Sequence, residues 1–380
     1  MSTAAQLWLG GFGVVLGAAA MSYTIAAACA QRWRPRQSGG LLQSVPPTTI
    51  LKPLCGAEPG LYERLRSFCQ QSCAQLQIVC GVRDGTDPAL EVVRRLQAEF
   101  PALALEIAVD PTAHGTSGKV SNLINMLPLA RHEFLVIADS DVRVGPDYLQ
   151  RVIAPLLDEG VGIVTCLYRG SPGPGLWSLL GSMFINEWFM PAVRIAARCG
   201  SRSYVSGATI ALRRTALERI GGFAAIADQL ADDYRLGELT RRVGLRTVLC
   251  DLEVETAVEE ATLGDLVRHE LRWLRTIRTL QPLGYAFAGV TFGVPAAILA
   301  SLLAGGNPLT LAMLAITVAA RFVLDSDSRK ARSFSAQLWL VALNDLLTFS
   351  LWCWGFATRQ VRWRHSRYRV ARDGTAHPVR

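Results

Sequence analysis

The sequence predicts an α/β domain, a mixed and mainly parallel sheet with helices on both faces, held between transmembrane helices near the N- and C-terminal ends of the chain. Three observations lead there. Between residues 48 and 260, short apolar runs alternate with stretches of helical spacing, the pattern of strands joined by helical crossovers. One of those runs, Phe134-Leu-Val-Ile-Ala138, leads straight into the two carboxylates Asp139 and Asp141. Outside this region the chain is too apolar for an ordinary soluble protein: over 380 residues the mean hydropathy is +0.25, and the excess sits at the ends.

The first 36 residues read as an anchor with a basic flank. Residues 6–30 carry no charge and are followed at once by Arg32, Arg34 and Arg36. A cleaved signal has its positive charge in front and a shorter apolar region, so an uncleaved helix with its C-terminal side in the cytoplasm is expected. A polar linker, residues 37–47, leads into a cytoplasmic domain over 48–280. Within it the expected strands are 49–54, 76–82, 103–109, 134–139, 161–168 and 204–212, with helices at 88–100 and 146–157.

Residues 176–199 interrupt this alternation. After the breaker Ser171-Pro-Gly-Pro-Gly175 come Leu176, Trp177, Leu180, Met183, Phe184, Trp188 and Phe189, with Asn186 and Glu187 arguing against a span. An interfacial or re-entrant helix is preferred over a buried core helix.

Three further apolar stretches follow Arg278: 283–304, 308–324 and 337–357. The turn Gly305-Gly-Asn-Pro308 predicts a membrane hairpin from the first two, which puts Arg329, Lys330 and Arg332 in the cytoplasm. The third is in conflict with the charge rule, because spanning would carry the basic tail 358–380 to the far side. Asn344 and Asp345 also make a span costly, about 2.5–3.5 kcal/mol for a central Asp. Either this stretch lies in the interface or it breaks the rule.

The net charge of +8 is concentrated beside the apolar segments, not along a groove with interleaved aromatics. That favours an anionic membrane surface over nucleic acid. Nine cysteines, odd in number and without a repeated CxxC, fit reduced thiols better than disulfides or zinc. Spans without repeat symmetry, in which only Asn344 and Asp345 are notably polar, speak against a transporter.

Five groups of residues carry candidate chemistry. Asp139 and Asp141 place like charges together, which a divalent cation with a diphosphate would compensate; a strand-end turn is the plain alternative. Asp84 follows the second strand and either accepts hydrogen bonds from a nucleotide's base or ribose, or caps the helix at Pro88. Lys119, after Gly118, offers a cation and backbone donors to an anion, without a Walker pattern. Asp232 and Asp233 open a helix as cap and dipole partner, or one of them takes a proton from an attacking hydroxyl. Between Arg268 and Arg278, Arg272 and Trp273 either anchor a basic interfacial helix or close over a diphosphate.

As an ordered set, Val82-Arg-Asp84, Gly118-Lys119-Val-Ser-Asn122, Ala138-Asp139-Ser-Asp141, Ser206-Gly207-Ala208, Gly221-Gly222-Phe223, Ala231-Asp232-Asp233-Tyr234 and Leu271-Arg272-Trp273 resemble the ceramide glucosyltransferase-like family. These are inverting enzymes of the GT-A fold, in glycosyltransferase families 21 and 2, that use a nucleotide sugar. The resemblance implies that Asp84 contacts uracil or ribose, Lys119 the nucleotide, and Asp139 with Asp141 the ribose and an Mg²⁺ or Mn²⁺ ion. It implies Asp233 as catalytic base and places Arg272 and Trp273 in a (Q/R)xxRW signature whose first position is here His269, a departure from the pattern.

Within the family, residues 48–59, 228–234 and 269–278 are most similar to bacterial hopanoid-biosynthesis glycosyltransferases. That subdivision implies transfer of N-acetylglucosamine from a UDP-sugar donor to a hopanoid acceptor, at the bacterial inner membrane with the catalytic domain in the cytoplasm. Ceramide glucosylation from UDP-glucose is the alternative acceptor chemistry. An inactive lipid-binding scaffold is the alternative of another class, and a polysaccharide synthase is disfavoured by the small number of spans.

Overall fold

The computed structural model describes residues 3–35, 41–328, 334–357, 360–363, 366–371 and 374–378. Its central sheet is built from β1 (Thr48–Pro53), β2 (Leu76–Val82), β3 (Ala104–Val109), β4 (Phe134–Ile137), β5 (Val142–Arg143), β6 (Val161–Pro172), β7 (Ile210–Arg213) and β8 (Arg246–Val258). The order is β3-β2-β1-β4-β7-β6-β8-β5. The pairs β3/β2, β2/β1, β1/β4 and β6/β8 are parallel, while β7 runs against both its neighbours and β5 against β8. The sheet is therefore mixed and mainly parallel, as the alternation of strand and helix implied.

Register sets the stage for the site. Pro53 is opposite Gly81, Leu51 is opposite Ile137, and Gly81 is opposite Ala108, so four strands end level with one another. That carboxyl edge is where open α/β sheets bind ligands. β1 and β2 are buried almost throughout, and their apolar side chains divide between two cores, one on each face. Ile50, Leu61, Phe68 and Ile78 lie on one face; Leu51, Val79, Leu123 and Met126 lie on the other.

Two expectations about strands need correction. The strand expected over 204–212 begins only at Ile210, because Thr209 N–H donates to Ser206 C=O at 3.3 Å and Ala208 N–H to Ser206 Oγ at 3.2 Å. This tight turn lifts Gly207 to the sheet edge. β8, the longest strand, was absent from the sequence reading because Asp251, Glu253 and Glu255 make it look like a solvated segment. Two of those carboxylates are tied inward, Asp251 to Arg151 at 2.9 Å and Glu253 to Arg194 at 2.5 Å.

Residues 176–199 are not one continuous helix. They form a helix at Leu176–Met183, a π-helical turn at Phe184–Phe189 and a second helix at Met190–Arg198. Phe184, Ile185, Met190 and Val193 are buried in the main core, and Leu180 and Met183 pack with Leu266, Leu340 and Val341. Leu176, Trp177, Leu179, Trp188 and Phe189 are half-buried beside them.

Among the described residues, two helices are long and apolar enough to cross a membrane, Gln6–Ala30 and Pro308–Ser326. The expected straight segment 283–304 is instead a pair, Pro282–Thr291 and Gly293–Leu303, bent by 78°. Pro295 lacks the N–H that would continue the ladder to Thr291 and its ring crowds that carbonyl, so the helix restarts at Gly293. Gly305 and Gly306, at φ 65° and 68°, then make the predicted turn. The amino-terminal helix lies against both arms of that turn. A Cβ on Gly13 would stand 2.6 Å from Ala300 O, and Ala27 and Ala28 pack with Leu324.

The helix Phe334–Gly355 follows a different course. Its Leu340 and Val341 sit on Leu180 and Leu266, its Asp345 pairs with Arg321 at 2.8 Å, and its Trp352 C=O accepts from Tyr285 Oη at 2.7 Å. It thus runs beside the Leu263–Leu280 helix of the α/β domain. Residues 358–380, expected as a basic tail, include the strands Gln360–Trp363, Ser366–Val370 and Ala376–Pro378 of a small antiparallel sheet. The last strand touches loop 228–230, so the chain's end is on the side of the α/β domain.

Candidate active site

The acidic pair is fixed through its backbone. Beyond β4, Ala138 N–H still donates to Leu51 C=O, at 3.3 Å. Lys52, fully buried on β1 with its ammonium 4.0 Å from the Phe68 ring centre, donates to Asp139 C=O at 2.5 Å. Burial pulls the Lys52 pKa down to about 8, against the pull of Asp141 and Asp139. Arg64 Nε donates to Ser140 C=O at 3.2 Å. Asp141 is bound to β8: its C=O accepts from Ala257 N–H at 2.9 Å and its Oδ2 from Thr256 Oγ1 at 2.7 Å. Its Oδ1 is buried and has no hydrogen-bond partner.

Lys119 joins this pair to the second one. It enters from the helix Gly118–Met126, whose start is capped by Ser117. Its Nζ is 2.6 Å from Asp139 Oδ1 and 3.3 Å from Asp232 Oδ2. Burial works against the ammonium, but Asp139 and Asp232 overcome it and hold the Lys119 pKa well up. Asp139 is pushed above the ordinary carboxylate range by burial, with Lys119 opposing and Asp141 reinforcing.

The adjacent acids divide their work. Asp232 meets the lysine, whereas Asp233 is held by two backbone donors, Gly207 N–H to Oδ2 at 2.9 Å and Tyr234 N–H to Oδ1 at 2.7 Å. Burial, then the neighbouring Asp232, raise the Asp233 pKa to about 6 against Lys119 and those two donors. Half-buried Arg272 stands in the field of Asp139, Asp232, Asp233 and Asp141; burial lowers its pKa and all four carboxylates oppose that.

Six expected or neighbouring residues, Lys119, Asp139, Asp141, Asp232, Asp233 and Arg272, are therefore assembled at one place. Asp84 is at the same sheet edge but outside the cluster. It is exposed, and its Oδ1 accepts from Thr86 N–H at 2.8 Å and Thr86 Oγ1 at 2.7 Å, which lowers its pKa. The helix-capping role considered for it is taken by Asp87, whose Oδ1 accepts from Ala89 N–H at 2.9 Å.

Trp273 points elsewhere than Arg272. It packs into an aromatic wall, 4.9 Å from Phe189, 6.0 Å from Phe184 and 6.3 Å from Tyr168 between ring centres. His269 pairs with Glu260 and meets the Trp273 ring edge-on at 5.5 Å. Gly207 entered the sequence reading only within the Ser206-Gly207-Ala208 motif, with no role given to it, and Lys52 and Thr256 were missed. Of these, only Lys52 left a signal: a lysine inside an otherwise buried strand has to be paired.

No group of three or more His, Cys, Asp or Glu able to hold a metal occurs among the described residues. Asp139 and Asp141 alone suit an ion that takes one or two carboxylates and completes its shell with phosphate and water, as Mg²⁺ does. The orphaned, buried Asp141 Oδ1 is the oxygen left over for it.

A mainly parallel sheet with a DxD acid pair and a cationic cradle at its carboxyl edge defines a GT-A-type sugar transferase fold. The structure of mannosyltransferase PcManGT from Pyrobaculum calidifontis, in complex with GDP-Man and Mn²⁺, shares that fold with a TM-score of 0.55 at 21% identity, over 89% of this chain and 99% of that one. Residues 13–376 match the model of glycosyl transferase family 21, and the chain belongs to that family. Ceramide glucosyltransferase 1 of Caenorhabditis elegans is 20% identical over 244 residues, 63% of this chain and 51% of the relative. A ceramide glucosyltransferase of Gibberella zeae is 28% identical over 159 residues, 39% of this chain and 29% of the relative. The match thus spans about half the length of the nematode relative.

Proposed function

We propose that this protein is a membrane-bound, inverting glycosyltransferase that moves a hexose from a UDP-sugar to a hydroxyl of a membrane lipid. The observation that carries the reading is Asp233: a carboxylate with a pKa near 6, backbone-anchored to Gly207, beside Lys119 and Arg272. A base poised near neutral pH, next to cations that receive a departing diphosphate, is what direct displacement at an anomeric carbon requires.

In this reading Asp233 takes the proton of the acceptor hydroxyl as its oxygen attacks the anomeric carbon. The bond to the UDP oxygen breaks on the opposite face, and the configuration inverts. Lys119 and Arg272 offset the charge that builds on the diphosphate, and Asp84, at the same edge, receives the nucleoside. Asp139 and Asp141 would hold Mg²⁺ or Mn²⁺, which supplies further charge neutralisation of the diphosphate. Mn²⁺ bound with a nucleotide sugar in the Pyrobaculum enzyme supports that assignment. The lipid approaches from the membrane helices past the wall of Phe184, Phe189 and Trp273.

The resemblance to hopanoid-pathway enzymes favours N-acetylglucosamine and a hopanoid hydroxyl in a bacterial inner membrane, with the α/β domain in the cytoplasm. The names of the relatives favour glucose and ceramide as the second reading. UDP release from UDP-glucose or UDP-N-acetylglucosamine, measured with purified protein and extracted membrane lipids, tests the reaction. Release that no lipid stimulates would reject the lipid acceptor, and no release from either donor would reject the enzyme. Mass spectrometry of host lipids after deletion of the gene separates the two acceptor readings.

A further inference from the structure

The helix that carries the acid pair, Asp232–Arg242, starts without a side-chain cap at Ala231, so besides the contacts of Asp232 with Lys119 and Asp233 with Gly207 the preceding loop helps to set its first turn. That loop is gripped on two sides. On one, Ser117 N–H donates to Ala227 C=O at 2.9 Å and Thr116 N–H to Asp228 Oδ1 at 2.8 Å, which ties it to the start of the Lys119 helix. On the other lies the end of the chain: Ala376 N–H donates to Asp228 C=O at 2.8 Å, and Leu230 N–H to Gly374 C=O at 3.2 Å.

Gly374 also reaches the Arg272 helix. It has φ +87°, and a Cβ on it would stand 2.7 Å from Gln229 Oε1 and 3.2 Å from Leu280 Cδ2. It therefore fills the gap between the loop before Asp232 and the last residue of Leu263–Leu280. The strand Gln360–Trp363 runs along the same helix. A second link, Gln281 Nε2 to Tyr234 Oη at 2.9 Å, joins that helix to the residue after Asp233.

From these contacts we infer that residues 374–376 are a clasp that positions the site: they hold loop 228–230, and through it keep Asp233 against Gly207 and Arg272 near the carboxylates. The terminal residues touch no substrate; they act through the loop. The inference rests on the reading of Asp233 as the base, but its physical content is the position of the loop.

Two variants of the membrane protein open the clasp. One ends the chain at Ala371; the other, Ala376→Pro, removes the amide that donates to Asp228, with Ala376→Gly, which keeps it, as control. Turnover at saturating donor falls about tenfold to a hundredfold in both, the scale expected for a misplaced reacting group. UDP affinity is unchanged and Ala376→Gly behaves as the parent. The amide of Gly207, which bonds to Asp233 and has no described contact with residues 374–376, exchanges faster with deuterium. Parental turnover and parental Gly207 exchange in the shortened chain would overturn the inference. So would a matching fall in turnover, UDP affinity and thermal stability, the mark of a general loss of fold. Exchange is read without substrate, so an intact protein that transfers no sugar would remove the proposed function while the Gly207 amide still decides the clasp.

Discussion

Gly207 N–H donates to Asp233 Oδ2 at 2.9 Å, and a Cβ on Gly207 would stand 3.2 Å from Asp139 Oδ2 and 3.3 Å from Lys119 Nζ. The glycine therefore serves as both donor and spacer at the point where the two acid pairs meet. Gly207→Ala keeps the donor but forces Asp139 and Lys119 to give by a few tenths of an ångström. Turnover should fall about tenfold, within the range for small misplacements at a site, while the thermal midpoint stays near the parent's. An activity assay beside a melting curve checks it; a parental rate would show that the contact is slack.

Removing the base is a sharper test. Asp233→Asn keeps an acceptor oxygen for the Gly207 amide but no longer takes a proton. Transfer should drop by about 10²–10⁴-fold, the usual contribution of a positioned general base, and UDP binding by calorimetry should survive. Retained turnover in the purified variant rejects the assignment.

The acidic limb of the rate profile follows from the same residue. Asp233 is active when ionised, and its pKa lies near 6 because burial and Asp232 outweigh Lys119 and two amides. The rate constant kcat/KM should climb about tenfold per pH unit below that value and level off above it. Stability has the opposite sign: with the folded pKa raised above the ordinary 3.8, the folded state binds the extra proton, so this group's contribution falls as pH rises from about 4 to 6. A profile with no limb between pH 5 and 7 would mean that another group limits the rate.

How much of this was legible in the sequence depended on whether a residue's partner was near in the chain. The level strand ends around Asp139 and Lys119 were readable because apolar runs flank them closely. β8 was not, since its carboxylates advertise solvent until Arg151 and Arg194, far off in sequence, are seen to pair with them. The turn that places Gly207 is flanked by the β-prone Tyr204, Val205, Thr209 and Ile210 and looked like a continuation of β7. The helix Phe334–Gly355 was ambiguous for the same reason. Asp345 gave only a cost until Arg321 appeared, and the docking of residues 374–376 on loop 228–230 fixes which side its end faces.

Lys52 offers a test of how the acid loop is held. Its ammonium is fully buried between Phe68 and Asp139 C=O. Lys52→Met retains the volume and removes the donor, leaving a carbonyl without that partner at a cost of about 1–3 kcal/mol. Both stability and activity should fall, the activity more, since Asp139 and Asp141 flank the freed carbonyl. Because burial lowers the folded pKa to about 8 from its ordinary 10.5, the folded state binds fewer protons there, and stability from this group rises between about pH 8 and 10.5. Denaturant titrations of parent and Lys52→Met at pH 8 and 10 check both statements; the stability difference between the two should widen from pH 8 to pH 10, since only the parent has the Lys52 contribution.

Arg321, Glu187 and Asp345 make the last prediction, away from the chemistry. Arg321 Nη1 is 2.8 Å from Glu187 Oε2, and its Nη2 is 2.8 Å from Asp345 Oδ1, all three being buried where the helices Pro308–Ser328 and Phe334–Gly355 meet the π-helical turn. The cation binds one carboxylate from each neighbouring element, so it ties these two helices to the segment beneath the aromatic wall. Arg321→Met fills similar space but leaves two acids facing each other without a cation. Breaking a buried pair in this way costs about 3–5 kcal/mol, so the detergent-solubilised variant should melt well below the parent. Arg321→Met combined with Glu187→Gln and Asp345→Asn removes every charge and should recover much of that loss. A single variant as stable as the parent would show that the triad is solvated and does not hold the helices together.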